Sequence, residues 1–116
     1  MCVVHIEKKC IEYYDSIRGD GINVMENVFQ YVQDEHRQQF QCEIENKEEW
    51  SLINKDAPQQ ENGYDCGVFA IMFADMICGD LQIQFEQRDI NSFRIKICHS
   101  IRTGKLWYCE SFIQAV

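Results

Sequence analysis

In the run Pro58-Gln59-Gln60-Glu61-Asn62-Gly63-Tyr64-Asp65-Cys66-Gly67, one cysteine stands where a polar loop meets an apolar, helix-like segment. Backbone N–H groups and the macrodipole at a helix start favour thiolate over thiol, so the placement suits a cysteine nucleophile. The alternative is a small residue filling a helix N-terminus, with Asp65 as its N-cap. Gln60, upstream across a turn, could aim a side-chain N–H at a carbonyl held over the sulfur. Otherwise it is a solvated loop glutamine. Asp15 follows Tyr13-Tyr14 at a strand end, where a carboxylate can accept an imidazole N–H and orient the ring, as the acid of a nucleophile–base–acid set does. Taken alone it could equally be an aspartate that begins a turn.

The remaining cysteines offer less. Cys78 and Cys98 fall in apolar helical stripes and Cys2 and Cys10 in strands, where a buried thiol is an inert small hydrophobe. With Cys42 and Cys109 the total is seven, an odd number without an export signal, which reads as reduced thiols rather than a disulfide framework. The start Met1-Cys2-Val3-Val4-His5-Ile6-Glu7 has no basic end or long apolar core, and no run approaches the roughly 18 apolar residues of a membrane span. A soluble, intracellular chain is expected, with no membrane partner. There is no C-x-x-C pair; the nearest approach to a metal pattern is Cys2-x-x-His5 without a second pair, so no metal or cofactor is expected. The net charge of −8 speaks against a nucleic-acid surface, which needs clustered Lys and Arg.

The elements that must position these residues follow from periodicity. Cys2–Ile6 and Cys10–Tyr14 are short and β-prone, separated by Glu7-Lys8-Lys9, and predict a hairpin. Asp15-Ser16 and Arg18-Gly19-Asp20-Gly21 end it in a turn. Apolar residues at 22, 24, 25, 28, 29 and 32 predict an amphipathic helix from Ile22 to about Phe40. Trp50-Ser51-Leu52-Ile53 is a candidate third strand. Residues 57–65 hold the only proline and an Asn62-Gly63 pair, which marks a loop with a tight turn. Gly67–Cys78 is apolar on nearly every face and predicts a helix buried all round, closed by Gly79-Asp80. Ile90, Phe93, Ile97 and Ile101 share a stripe on a last helix from Gln87 to Lys105. The tail 107–116 is unassigned. No repeat, linker or low-complexity segment separates a second domain.

Together these segments resemble the SUMO-specific cysteine proteases of the Ulp/sentrin-protease family. The resemblance rests on Tyr-Tyr-Asp-Ser (13–16), Trp50, Pro-Gln-Gln-x-Asn-Gly-x-Asp-Cys-Gly-Val-Phe (58–69), Ala-Asp (74–75) and Phe-x-Gln with Phe-Arg (85–87, 93–94). It implies an α+β fold: the C-terminal portion of a papain-like cysteine-protease catalytic domain over 1–116, with a short mixed sheet against a buried helix that carries the nucleophile. It implies Cys66 as nucleophile, Asp15 as triad acid and Gln60 as oxyanion amide. It further implies a partner, SUMO or a related ubiquitin-like protein and its conjugates, cleaved after Gly-Gly, and a nuclear or cytoplasmic location. In the family the catalytic histidine opens a His-Trp pair roughly sixteen or seventeen residues before the acid. That count from Asp15 passes Met1, and His5, His36 and His99 align with no such role. The expectation is thus an incomplete protease domain whose own activity is in doubt. The alternatives are an inactive module that binds ubiquitin-like proteins, and a globular fragment with no role of its own.

Overall fold

The computed structural model describes residues 1–106 and resolves two compact units, Met1–Asp56 and Ala57–Val116. The unassigned tail, 107–116, lies outside the described residues.

The first unit is built on a hairpin. Strand β1 (Cys2–His5) pairs antiparallel with β2 (Cys10–Tyr13), in the register Cys2 to Tyr13 through His5 to Cys10. Lys9 takes a positive φ of 51° to turn the corner and donates its N–H to the Ile6 carbonyl. Helix α1 (Ile22–Phe40) then crosses over to β3 (Ser51–Asn54), which pairs parallel with β2. The sheet is mixed, in the order β1-β2-β3. The expected hairpin, helix and third strand are all present, each end within one residue of its expected place.

Alternation along β2 divides the sheet into two faces. Ile11 is fully buried on one, as is Met25 of α1. Beside them Phe29 stacks on Trp50, with ring centroids 5.0 Å apart. The stripe that α1 turns inward is thus Met25, Val28, Phe29 and Val32, while Ile22 and Val24 face outward. The other sheet face carries Cys10, Glu12 and Tyr14, with His5 across from Cys10.

In the second unit a loop leads into α2 (Cys66–Cys78), and a short 3-10 turn (Gln87–Asp89) leads into α3 (Ile90–Thr103). Phe85 is the hub between the two helices. Its ring lies 5.2 Å from Phe69, 5.7 Å from Phe73 and 5.5 Å from Phe93.

Three expectations need correction here. Helix α2 is not buried all round. Val68, Phe69, Met72, Phe73 and Met76 face inward, while Gly67, Ala70, Ile71, Ala74 and Cys78 are exposed. The outward positions are mostly small, and small residues read as apolar in a pattern without needing a partner surface. Gly79 does not supply the left-handed turn after α2, because its φ is −83° and Asp80 takes φ 54° instead. The Asp80 N–H bonds the Ile77 carbonyl and the Leu81 N–H that of Met76, a Schellman closure with Asp in the usual glycine place. On α3 the stripe is buried only at Ile90 and Phe93, and Ile101 is 78% exposed.

Candidate functional site

Cys66 is the first residue of α2 and is exposed. An ideal Cβ on Gly67 would meet nothing within 4 Å, so the approach to the sulfur is uncrowded on that side. The helix starts here because the Asp65 carbonyl accepts from the N–H groups of both Val68 and Phe69. Asp65 occupies the N-cap position as expected, yet its side chain makes no capping bond. It turns inward, 5% exposed, and pairs with the Arg94 guanidinium. Its other oxygen accepts from Asn62 Nδ2 and Gln87 Nε2, each at 2.7 Å. Arg94 first, and then the Asn62 amide, hold the Asp65 carboxyl below the ordinary carboxylate range.

The loop before the cysteine is tied to itself as well. Asn62 Oδ1 accepts from the Tyr64 and Asp65 N–H groups at 3.2 and 3.0 Å, an Asx turn that uses the expected Asn-Gly corner. Gln60 Nε2 donates to the Asn62 carbonyl at 2.5 Å. That bond fixes the side-chain amide of Gln60 within the loop that delivers Cys66. A solvated loop glutamine would have no such constraint.

Asp15 lies in the first unit, just past β2. Its Oδ1 accepts from the Ile17 N–H at 3.2 Å and its Oδ2 from the Gly19 N–H at 2.6 Å. The turn-forming role that the sequence allowed is therefore real, and it also orients the carboxylate. An ionised carboxylate only accepts hydrogen bonds, which is what orienting an imidazole N–H requires. Gly19 is required by this closeness, since a Cβ there would stand 2.2 Å from Asp15 Oδ2.

His5 cannot serve Asp15. It pairs with Cys10 beside the hairpin turn, whereas Asp15 lies beyond the Cys2–Tyr13 pair at the opposite end. Five strand residues separate the two levels, roughly 16 Å at the usual rise. His5 Nε2 instead contacts Glu12 Oε2 at 2.9 Å. Glu12 also accepts from the Tyr14 hydroxyl at 2.7 Å and pairs with Lys55 at 3.1 Å. Burial pushes the Glu12 carboxyl up, but the Tyr14, His5 and Lys55 bonds outweigh it and bring the value down to about 2.

His5, Cys10 and Glu12 bring their donor atoms within 4.8 Å of one another, a neighbourhood invisible in linear spacing because it arises across the hairpin. The Lys55 ammonium already sits against Glu12, and both carboxylate oxygens have partners, so the cluster is an ion-pair network in place of a cation site. His36 is also engaged, with its Nδ1 3.1 Å from the Cys42 carbonyl. A shallow concavity of about 460 Å³, lined by Pro58, Ile83, Phe85 and Arg88 among others, includes neither Cys66 nor Gln60. The contribution of Gln87 and Arg94 to the loop was missed as chemistry. The sequence showed them only as part of a family pattern.

Comparison with known proteins agrees with this architecture. Residues 1–104 match the Ulp1 protease family, C-terminal catalytic domain. Sentrin-specific protease 2 of Homo sapiens is 36% identical over 104 residues, which cover 87% of this chain and 18% of that protein. Ubiquitin-like-specific protease 1 of Saccharomyces cerevisiae is 32% identical over 109 residues, covering 90% and 16%. Among solved structures, the C-terminal Ulp1 protease domain in complex with Smt3, the yeast ortholog of SUMO, superposes with a TM-score of 0.75 at 30% identity. It covers 88% of this chain and 45% of that one. These matches give the chain the fold of part of a Ulp1 protease catalytic domain. The chain belongs to the Ulp1 protease family and spans under a fifth of the length of the curated relatives it matches first.

Proposed function

We propose that this chain carries the nucleophile, the acid and the oxyanion amide of a cysteine isopeptidase and peptidase. Its substrate would be SUMO or a related ubiquitin-like protein, cleaved after the terminal Gly-Gly in deconjugation and precursor processing. The observation that carries the proposal is the Gln60–Cys66 junction: an exposed cysteine heading a helix, behind a loop that fixes a glutamine amide. The solved relative bound to Smt3 supports the choice of partner. In this reading the Cys66 sulfur attacks the glycine carbonyl carbon, and the Gln60 N–H receives the developing negative charge. Release of the amine needs a proton donor that Asp15 would orient, a place His5 does not fill, and water then cleaves the thioester to regenerate the cysteine.

The Met1 terminal ammonium donates to the Tyr14 carbonyl at 2.7 Å and the Tyr14 N–H to the Met1 carbonyl at 2.8 Å, which ties down the strand end that precedes Asp15. A second reading, a module that binds ubiquitin-like proteins without turnover, is favoured by the engagement of His5 with Glu12 and of His36 with Cys42. We place the chain's work in the nucleus or cytoplasm, where the six free cysteines among the described residues would stay reduced.

The test uses ubiquitin-like proteins bearing a C-terminal electrophile, with the chain as it stands and with Cys66→Ser. A covalent adduct with the SUMO form, absent in Cys66→Ser, is expected. Failure of every ubiquitin-like form to label the unmodified chain, or labelling that survives the substitution, would remove the proposal. Hydrolysis of a SUMO C-terminal amide separates the two readings: capture without turnover selects the binding module.

A further inference from the structure

We infer that Gln87 and Arg94 are positioning residues that clamp the 60–66 loop, and through it set the geometry of Gln60 and Cys66. The inference deepens the reading of Cys66 as nucleophile and Gln60 as oxyanion amide.

Gln87 reaches both ends of the loop with one side chain. Its Oε1 accepts from the Glu61 N–H at 2.9 Å and its Nε2 donates to Asp65 Oδ2 at 2.7 Å. The backbone N–H can only donate and the carboxylate can only accept, so the task needs one acceptor and one donor on the same terminal group. A carboxamide meets that requirement. Glutamate would set a second negative charge against Asp65, and an apolar residue would leave both loop groups unpaired.

Arg94, in the second turn of α3, supplies the charge. The Arg94 side chain is 47% exposed while that of Asp65 is 5% exposed, so the pairing compensates a buried anion with a side chain that keeps water contact. An aspartate at the helix start whose side chain makes no cap bond, and which is spent on α3 and its lead-in, has a different task. It fastens the helix start to α3. Its carboxyl is held below the ordinary range by Arg94 first, so the anion persists at neutral pH.

Arg94, Gln87 and Asn62 all meet on Asp65, and Asn62 in turn holds Gln60. The chain of contacts runs from α3 to the amide proposed for the oxyanion and ends one residue before the nucleophile. An attack geometry displaced by about 1 Å can cost on the order of a hundredfold in rate. The clamp therefore acts on capture of a large, oriented substrate, and far less on a small alkylator that needs only an exposed sulfur.

The experiment compares the full chain with Gln87→Ala, Gln87→Glu, Arg94→Ala and Arg94→Lys by three readouts. Backbone amide exchange over 60–66 is expected to quicken about tenfold or more in the two alanine variants while the later turns of α2 keep their protection. Arg94→Lys restores part of that protection and Gln87→Glu does not. Iodoacetamide alkylation of Cys66 is expected to change less than about threefold, whereas capture by the SUMO electrophile falls about ten- to a hundredfold. Unchanged loop exchange in both alanine variants would overturn the clamp. So would a loss spread evenly over α2 and α3 that follows global stability. If the unmodified chain captures no ubiquitin-like probe, the proposed activity fails, and the exchange data still decide the clamp.

Discussion

Glu12 and the two glycines that follow the hairpin show how much single residues contribute here. The folded Glu12 carboxyl titrates at about 2, below its ordinary value of 4.5. A depressed carboxylate contributes stability that is complete above the unfolded value and is lost as pH falls through the folded one. The thermal midpoint should therefore drop between about pH 4.5 and 2, with ~1–3 kcal/mol at stake. Glu12→Gln should flatten that part of the profile while lowering stability at pH 7. An unchanged acid limb in Glu12→Gln would show that the cluster does not govern acid stability. Gly19 and Gly21 are needed for closeness. A Cβ on Gly21 would stand 2.1 Å from the Tyr13 ring, and the Gly21 N–H is held by Asn54 Oδ1 at 3.0 Å. Gly21→Ala should cost about 1–3 kcal/mol by overpacking, measured by denaturant unfolding. Gly19→Ala should cost a similar amount and also displace the Asp15 carboxylate.

At the scale of elements, the second unit depends on one ring. Phe85 touches Phe69, Phe73 and Phe93 from a segment that is neither helix nor strand. Phe85→Ala should cost about 3–5 kcal/mol, the largest loss of any change suggested here, because two helices lose their shared contact. Asp80→Gly should do the opposite and raise the melting point slightly, since glycine adopts the left-handed closure of α2 without a Cβ penalty. These two positions also show where the sequence was readable and where it was not. The ends of β1, β2 and α1, and the start of α2, expected at Gly67 and found at Cys66, were legible to within one residue because apolar period and turn residues act locally. Parallel pairing of β3 with β2 was not, since it depends on a crossover through α1. Phe85 as a hub and Asp65 with Arg94 were hidden for the same reason, as their partners lie far along the chain. The inward face of α2 was misjudged because alanine and glycine count as apolar without demanding burial. Cys66, Gln60 and Asp15 were singled out from residue type and spacing, with their roles drawn from the family resemblance; the structure shows Gln60 and Asp15 hydrogen-bonded to nearby backbone and Cys66 exposed at the head of α2.

At the scale of the whole molecule, the exposed face of α2 bears on how the chain behaves in water. Gly67, Ala70, Ile71, Ala74 and Cys78 recur at helical spacing, and Ile71 among them is 48% exposed. A small-residue face lets another backbone approach closely, and Ile71 is the one bulky side chain on it. The matched solved chains are about twice as long as the stretch they share with this one, so the superposition leaves more than half of each outside it. We expect Ile71 to contribute to self-association without holding the helix in place. Ile71→Lys should then raise the concentration at which the chain stays monomeric in sedimentation and lower its binding of an apolar dye. The melting point should move by no more than a few degrees, since exposed substitutions typically cost within about 0.5 kcal/mol. A loss of several kcal/mol instead would place Ile71 in a packed contact, and the outward face of α2 would have to be reassigned to the core.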